Sequence, residues 1–172
     1  PRSHIAELLH AGLAPWIDRP SRVRHALDMC TGSGCLAVLL ALAFPRAKVD
    51  AVDVSASALA VARRNVKDYG LHHRMRLARS NLFAALGNAR YQLIVANPPY
   101  VGARAMATLP QEYRREPRLA LAGGPDGLAF VKKCKQVGAL RLFSDNVKAS
   151  KDLTEEEKGE LQRAISGRVD NL

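Results

Sequence analysis

Asn97-Pro98-Pro99-Tyr100 places an amide, two rigid rings and an aromatic face directly after an apolar run, Tyr91-Gln-Leu-Ile-Val-Ala96. Proline fixes φ and removes an N–H donor, so two in succession leave a stretch of backbone that can only accept. The Asn97 side chain and the carbonyls of Asn97 and Pro98 are then available to a planar NH2 group, and Tyr100 can stack on its face. The lone pair of such a nitrogen is delocalised, which makes it a poor nucleophile. Accepting both of its protons pushes electron density back onto nitrogen. A plain proline-rich turn after a strand would look the same in isolation.

A second group of residues lies upstream. Asp28-Met-Cys-Thr31-Gly32-Ser-Gly34 joins a strand to a helix, and its glycines allow a sharp turn and a close approach by a ligand. The helix N-terminus that follows offers free N–H groups to a carboxylate or phosphate. Asp53 ends the next strand, where a carboxylate can accept both hydroxyls of a ribose. Asn81, after the third strand, can meet an adenine edge with its amide. Gly32-x-Gly34-x-x-Ala37 also fits a dinucleotide fingerprint, a weak signal by itself. The competing structural readings are a simple strand-to-helix turn for the glycines, a helix cap for Asp53 and an exposed turn for Asn81.

The elements that must position these residues follow from periodicity and punctuation. Residues 1–12 read as a short amphipathic helix ended by Gly12, and Pro15 to Pro20 as a loop carrying Trp16. Strands are expected over Arg24–Met29, Lys48–Val54, Met75–Arg79 and Tyr91–Ala96. The segment Cys35–Phe44 is apolar on all faces and reads as a buried helix stopped by Pro45. Ser55 or Ser57 can cap a helix that runs to about Tyr69 and ends at Gly70. Further on, a helix through about Gln136, a fifth strand over 138–143 and a polar helix from Thr154 are expected. Alternating strands and helices imply an α/β doubly wound, mostly parallel sheet, whose strand C-termini line one ligand-binding edge. Asp28, Asp53, Asn81 and Asn97 fall at or just beyond those ends.

The 172 residues suit one domain, divided as an N-terminal helix and loop (1–20), a catalytic domain (21–143) and an unassigned, helical tail (144–172). A net charge of +10 favours acidic partners such as RNA or a ribosome-bound substrate, or simply keeps the surface solvated. The three cysteines lack a paired C-x-x-C, which argues against a disulfide framework or zinc site and for a cytoplasmic protein. The longest apolar stretch, Cys35 to Phe44, is shorter than the roughly 20 residues needed to span a bilayer. The five histidines are scattered, with no Ser-His-Asp spacing and no convincing metal cluster.

In this order, the Asp28 glycine turn, Asp53 and Asn97-Pro-Pro-Tyr100 resemble a Rossmann-like class I methyltransferase that uses S-adenosylmethionine. Pro1-Arg-Ser-His-Ile-Ala-Glu-Leu8, Asp28-Met-Cys-Thr-Gly-Ser-Gly-Cys35, Leu109 to Leu121 and Gly123-Gly-Pro-Asp-Gly-Leu128 are similar to the HemK-like protein N(5)-glutamine methyltransferases. The resemblance covers about residues 1–131. It implies that Asp28, Thr31, Gly32, Gly34, Asp53, Asn81 and Asn97 hold S-adenosylmethionine. It further implies that Asn97 and the Pro98 carbonyl grip a glutamine amide while Tyr100 stacks beside it. The implied substrate is a ribosomal protein of the large subunit, with a release factor as the alternative within the family. Asn81 stands where the family has an aspartate. The family's helical substrate-recognition domain, upstream of the segment resembled, has no counterpart here, and its final strand pair is not recognisable beyond Lys132. A DNA N(6)-adenine methyltransferase and an inactive cofactor-binding module share parts of the same pattern; a nicotinamide oxidoreductase shares the glycine turn only.

Overall fold

The structure is a computed structural model that describes residues 4–13, 17, 19–99, 101–104, 122–125 and 129–130. The chain divides into two units, residues 1–97 and 98–172. The first contains helix α1 (His4–His10), strand β1 (His25–Met29), helix α2 (Cys35–Ala43), strand β2 (Lys48–Asp53), helix α3 (Ala56–Asp68), strand β3 (Met75–Arg79) and strand β4 (Leu93–Ala96), with a 3-10 turn at Pro20–Arg22.

The four strands form one parallel sheet in the order β3-β2-β1-β4. The chain winds outward from β1 through β2 to β3, then returns to place β4 on the other side of β1. The order therefore reverses between β1 and β4, the place where open α/β sheets bind ligands beyond their strand C-termini. One sheet face carries Ala26, Val49, Ala51, Met75, Leu93 and Val95, and these share a core with Ile5, Leu9, Val38, Leu40, Phe44 and Val66 from the helices and their flanks. Two successive right-handed crossovers account for helices on that face. On the opposite face Met29, Val52 and Ala96 are buried near the strand C-termini, whereas Asp50 and Arg76 make a polar pair level with the buried Leu27.

Local chemistry sets most boundaries. The Ser55 side chain accepts from the Ala58 N–H at 3.2 Å and caps α3; of the two serines expected there, Ser55 is the cap. Gly70, at φ +67°, follows the end of α3. Leu59, Ala62 and Val66 form its buried stripe. Two expectations differ. The α2 helix is not buried all round: Leu42 is 49% exposed. Strand β4 starts at Leu93, two residues later than expected, although the Gln92 N–H still donates to the His25 carbonyl at 3.0 Å. Gln92 Oε1 accepts from the Arg24 and His25 N–H groups and its Nε2 donates to the Arg22 carbonyl. The Tyr91 hydroxyl donates to Asp50, whose carboxylate also takes two bonds from Arg76 at 3.0 and 2.6 Å.

In the second unit, Val101 pairs in parallel with Ala122, and the Gly123 N–H donates to the Val101 carbonyl at 2.8 Å. Gly124 has φ +91°, and a Cβ there would lie 3.0 Å from the Ala129 Cβ, so this loop position requires glycine. The expected elements over 138–143 and from Thr154 lie outside the described residues, as do Tyr100 and Leu109 to Leu121.

Candidate functional site

The site is built where β1 turns into α2. Asp28, the penultimate residue of β1, has no exposed surface. The Thr31 hydroxyl donates to its Oδ2, while Oδ1 has no hydrogen-bond partner. Burial pushes the Asp28 carboxyl up to about 7; the Thr31 hydroxyl and the Ala37 amide pull the other way, and the charge of Asp53 adds to the rise. Asp28 therefore lies beneath the rim on which the other polar residues stand.

Above it the backbone turns through Cys30 (φ +59°), Gly32 (φ +56°) and Gly34 (φ +80°). Cys30 holds a left-handed conformation that side chains disfavour. A Cβ on Gly32 would meet nothing within 4 Å, so open space lies over this residue. A Cβ on Gly34 would fall 2.9 Å from the Ala62 Cβ, so α3 approaches the turn too closely for any side chain there. The turn is closed by the Gly34 N–H donating to the Thr31 carbonyl at 2.9 Å, and tied to β2 by the Thr31 N–H donating to the Val52 carbonyl at 3.0 Å.

Asp53 ends β2 and is half-buried. Its Oδ2 accepts from the Gly32 N–H at 2.8 Å and its Oδ1 from the Ser55 N–H at 2.9 Å. The carboxylate thus bridges the glycine turn and the start of α3, and it still has acceptor capacity, since an ionised carboxylate offers about four lone-pair sites. Asn81 is exposed just beyond β3. Its loop is organised by the neighbouring Ser80, whose hydroxyl donates to the Leu82 carbonyl and accepts from the Ala85 N–H.

Asn97 is exposed directly after β4, and the register Met29↔Ala96 puts it at the same sheet end as Cys30. Pro98, first residue of the second unit, is buried and Pro99 half-buried. Asp28, Thr31, Gly32, Gly34, Asp53 and Asn97 thus gather at the C-terminal ends of β1, β2 and β4, and Asn81 beyond β3. Two contributors had no signal in the motif pattern. Ala62 sets the distance between α3 and the turn, and Asn65 Nδ2 donates to the Ser33 carbonyl at 2.8 Å. Only the helical spacing of 59, 62 and 66 hinted that this stretch of α3 faces inward. Among the described residues no group of three His, Cys, Asp or Glu is arranged to hold a metal ion, and no helix is long and apolar enough to cross a membrane.

A parallel sheet with a glycine turn after its first strand and an acidic residue ending its second defines the class, and comparison with known proteins agrees. The methyltransferase small domain model matches residues 11–157, and the chain belongs to that family. Its fold matches the hMettl16 catalytic domain in complex with MAT2A 3'UTR hairpin 1, with a TM-score of 0.63 at 19% identity over 96% of this chain and 61% of that one. Among curated proteins it is 60% identical, over 86% of its length and 49% of the relative's, to the ribosomal protein uL3 glutamine methyltransferase of Bordetella pertussis. It is 56% identical to the protein of the same name from Neisseria meningitidis serogroup A, over 74% of this chain and 42% of that one. The chain spans about half the length of these relatives.

Proposed function

We propose that this chain carries the methyl-transfer site of an enzyme that moves a methyl group from S-adenosylmethionine to the side-chain amide nitrogen of a glutamine in a large-subunit ribosomal protein. The observation that carries the reading is the placement of Asn97 at the end of β4, beside the Asp28–Gly34 turn at the end of β1. A ligand held by the turn and an acceptor held by Asn97 would meet across the point where the strand order reverses. The names of the relatives supply the substrate class.

The residues present fit the cofactor. Asp28, fully buried with one oxygen lacking a partner, suits a cationic ligand. The free acceptor sites of Asp53 suit a ribose diol, and Gly32 leaves room for a ligand to approach the backbone. Thr31 keeps the Asp28 carboxylate oriented, and Asn81 has its amide free for an adenine edge. When bound, S-adenosylmethionine supplies an electrophilic methyl group. Asn97 and the Pro98 carbonyl would accept the two amide protons of the glutamine and Tyr100 would cover its face, which orients the nitrogen lone pair. Orientation of this kind supplies much of the acceleration in a direct displacement. No strong general base is needed, because the amide proton becomes acidic once nitrogen carries the methyl group.

The net charge of +10 suits a substrate presented beside ribosomal RNA in the cytoplasm. The test is transfer of labelled methyl to purified ribosomal protein, release factor and duplex DNA by a full-length relative that shares these segments. The expected product is a singly methylated glutamine of the ribosomal protein; label in DNA alone would overturn the reading.

A further inference from the structure

The α3 helix meets the glycine turn through two residues on one face. Ala62 packs where a Gly34 side chain would stand, at 2.9 Å from its Cβ position. One turn later, Asn65 donates through Nδ2 to the Ser33 carbonyl at 2.8 Å. Ser33 is the exposed residue between the two glycines. Ser33 precedes Gly34, the N-cap of α2, so its carbonyl lies outside the helix ladder and takes its donor from elsewhere. Asn65 thus supplies the turn with a donor from α3.

Asparagine has a lower helix propensity than alanine in a helix interior. Asn65 is half-buried and flanks the Leu59, Ala62 and Val66 stripe, a place where an apolar residue would serve packing as well. Its amide spans 32 residues of sequence to reach one backbone atom. The Gly32 N–H on the near side of the turn is held by Asp53 and the Ser33 carbonyl on the far side by Asn65. Between these two anchors lies Gly32, whose outer surface is open.

We infer that Asn65 is a positioning residue: its side-chain amide fixes the Ser33 peptide and so sets the shape of the surface that receives the cofactor, without touching the cofactor. This rests on the cofactor reading above. The experiment compares wild type with Asn65→Asp, which keeps the shape and removes the donor, and with Asn65→Leu, which keeps the volume. S-adenosylhomocysteine affinity is measured by calorimetry and Gly34 amide exchange by NMR. Loss of one donor to a carbonyl is expected to weaken binding about tenfold in both variants and to speed Gly34 exchange, with little change in melting temperature. A space-filling role would leave the Asp variant unaffected, so wild-type affinity in Asn65→Asp overturns the inference. If wild type itself fails to bind S-adenosylhomocysteine, the cofactor reading fails instead. Exchange at Gly34 then decides the anchoring role: faster exchange in both variants sustains it and unchanged exchange overturns it.

Discussion

The Gly32 amide donates to Asp53 Oδ2 at 2.8 Å, so a carboxylate at the end of β2 holds the turn that leaves β1. The other oxygen of the same group accepts from Ser55 and fixes the entry to α3. Asp53 is a structural clamp and, in the function proposed above, a ligand acceptor, so its removal should be visible in both roles.

Asp53→Ala should destabilise the fold by about 2 kcal/mol, the scale of losing hydrogen bonds to a charged acceptor. The variant should also lose the rise in melting temperature that S-adenosylhomocysteine gives wild type, since only a ligand that binds the folded state raises it. Thermal unfolding with and without ligand reads both quantities. A full ligand-induced shift in the variant would remove Asp53 from the binding site, and a larger shift of wild type with NADH would contradict the choice of cofactor.

Asp28 gives a pH dependence of definite sign. Its carboxyl is raised in the fold, chiefly by burial, to about 7, against an ordinary value of 3.8. Between these values the folded protein holds a proton that the unfolded chain has released. The stabilisation is present at low pH and is lost as pH rises toward about 7. Asp28→Asn imitates the protonated form at every pH. Its urea midpoint should exceed that of wild type at about pH 8, with the gap narrowing toward about pH 4. A gap that widens on acidification would reverse the assignment. Binding of a cationic ligand should weaken in the variant, because the buried charge is gone.

The two glycines should separate stability from binding. Gly34→Ala combines φ +80° with a 2.9 Å clash against Ala62 and should cost about 2–3 kcal/mol in urea unfolding. Gly32→Ala has φ +56° and open space, so it should cost nearer 1 kcal/mol. Its methyl group would nonetheless stand in the open space that the proposed cofactor would enter, and S-adenosylhomocysteine binding should fall more than stability does. Equal stability losses in the two variants would contradict the close approach of α3.

Asn97→Ala should lower kcat by about a hundredfold, the scale of deleting one oriented polar group at a reacting centre. Cofactor affinity should hardly change, since the proposed role of Asn97 is to grip the acceptor amide. Single-turnover methylation of the ribosomal protein, paired with calorimetry, separates the two. A large loss of cofactor affinity with kcat preserved would move Asn97 out of the acceptor role.

The four strands, a serine cap at Ser55 or Ser57 and the rim positions of Asp53, Asn81 and Asn97 were legible because each depends on a short-range rule: period two, a capping hydroxyl, a polar residue at the end of an apolar run. The depth of Asp28 was not, because its neighbours in sequence do not say that Thr31 folds back over it. Tyr91 and Gln92 read as strand by propensity, but their side chains answer partners on β2 and ahead of β1, which no local window contains. Leu42 reads as buried because α2 is apolar throughout; only the arrangement of α1 and the sheet determines which side stays open. Asn65 was invisible for the same reason as Gln92, since a side chain that serves a distant backbone atom leaves no periodic trace.

The place of β4 in the sheet implies an order of assembly. Strands β1, β2 and β3 are joined by single-helix or short connections, whereas β4 reaches β1 only after the whole of that outward run. Closing the longer loop costs more entropy and comes later on average. In each newly made molecule the clamp of Asp53 and the anchor of Asn65 can form while one edge of β1 still lacks a partner. That bare edge is open to mispairing until β4 docks. A ligand that tightens the turn at that stage would act as a folding template before it acts as a reactant. Pulse-labelled amide exchange should accordingly find Ala51 protected ahead of Ile94.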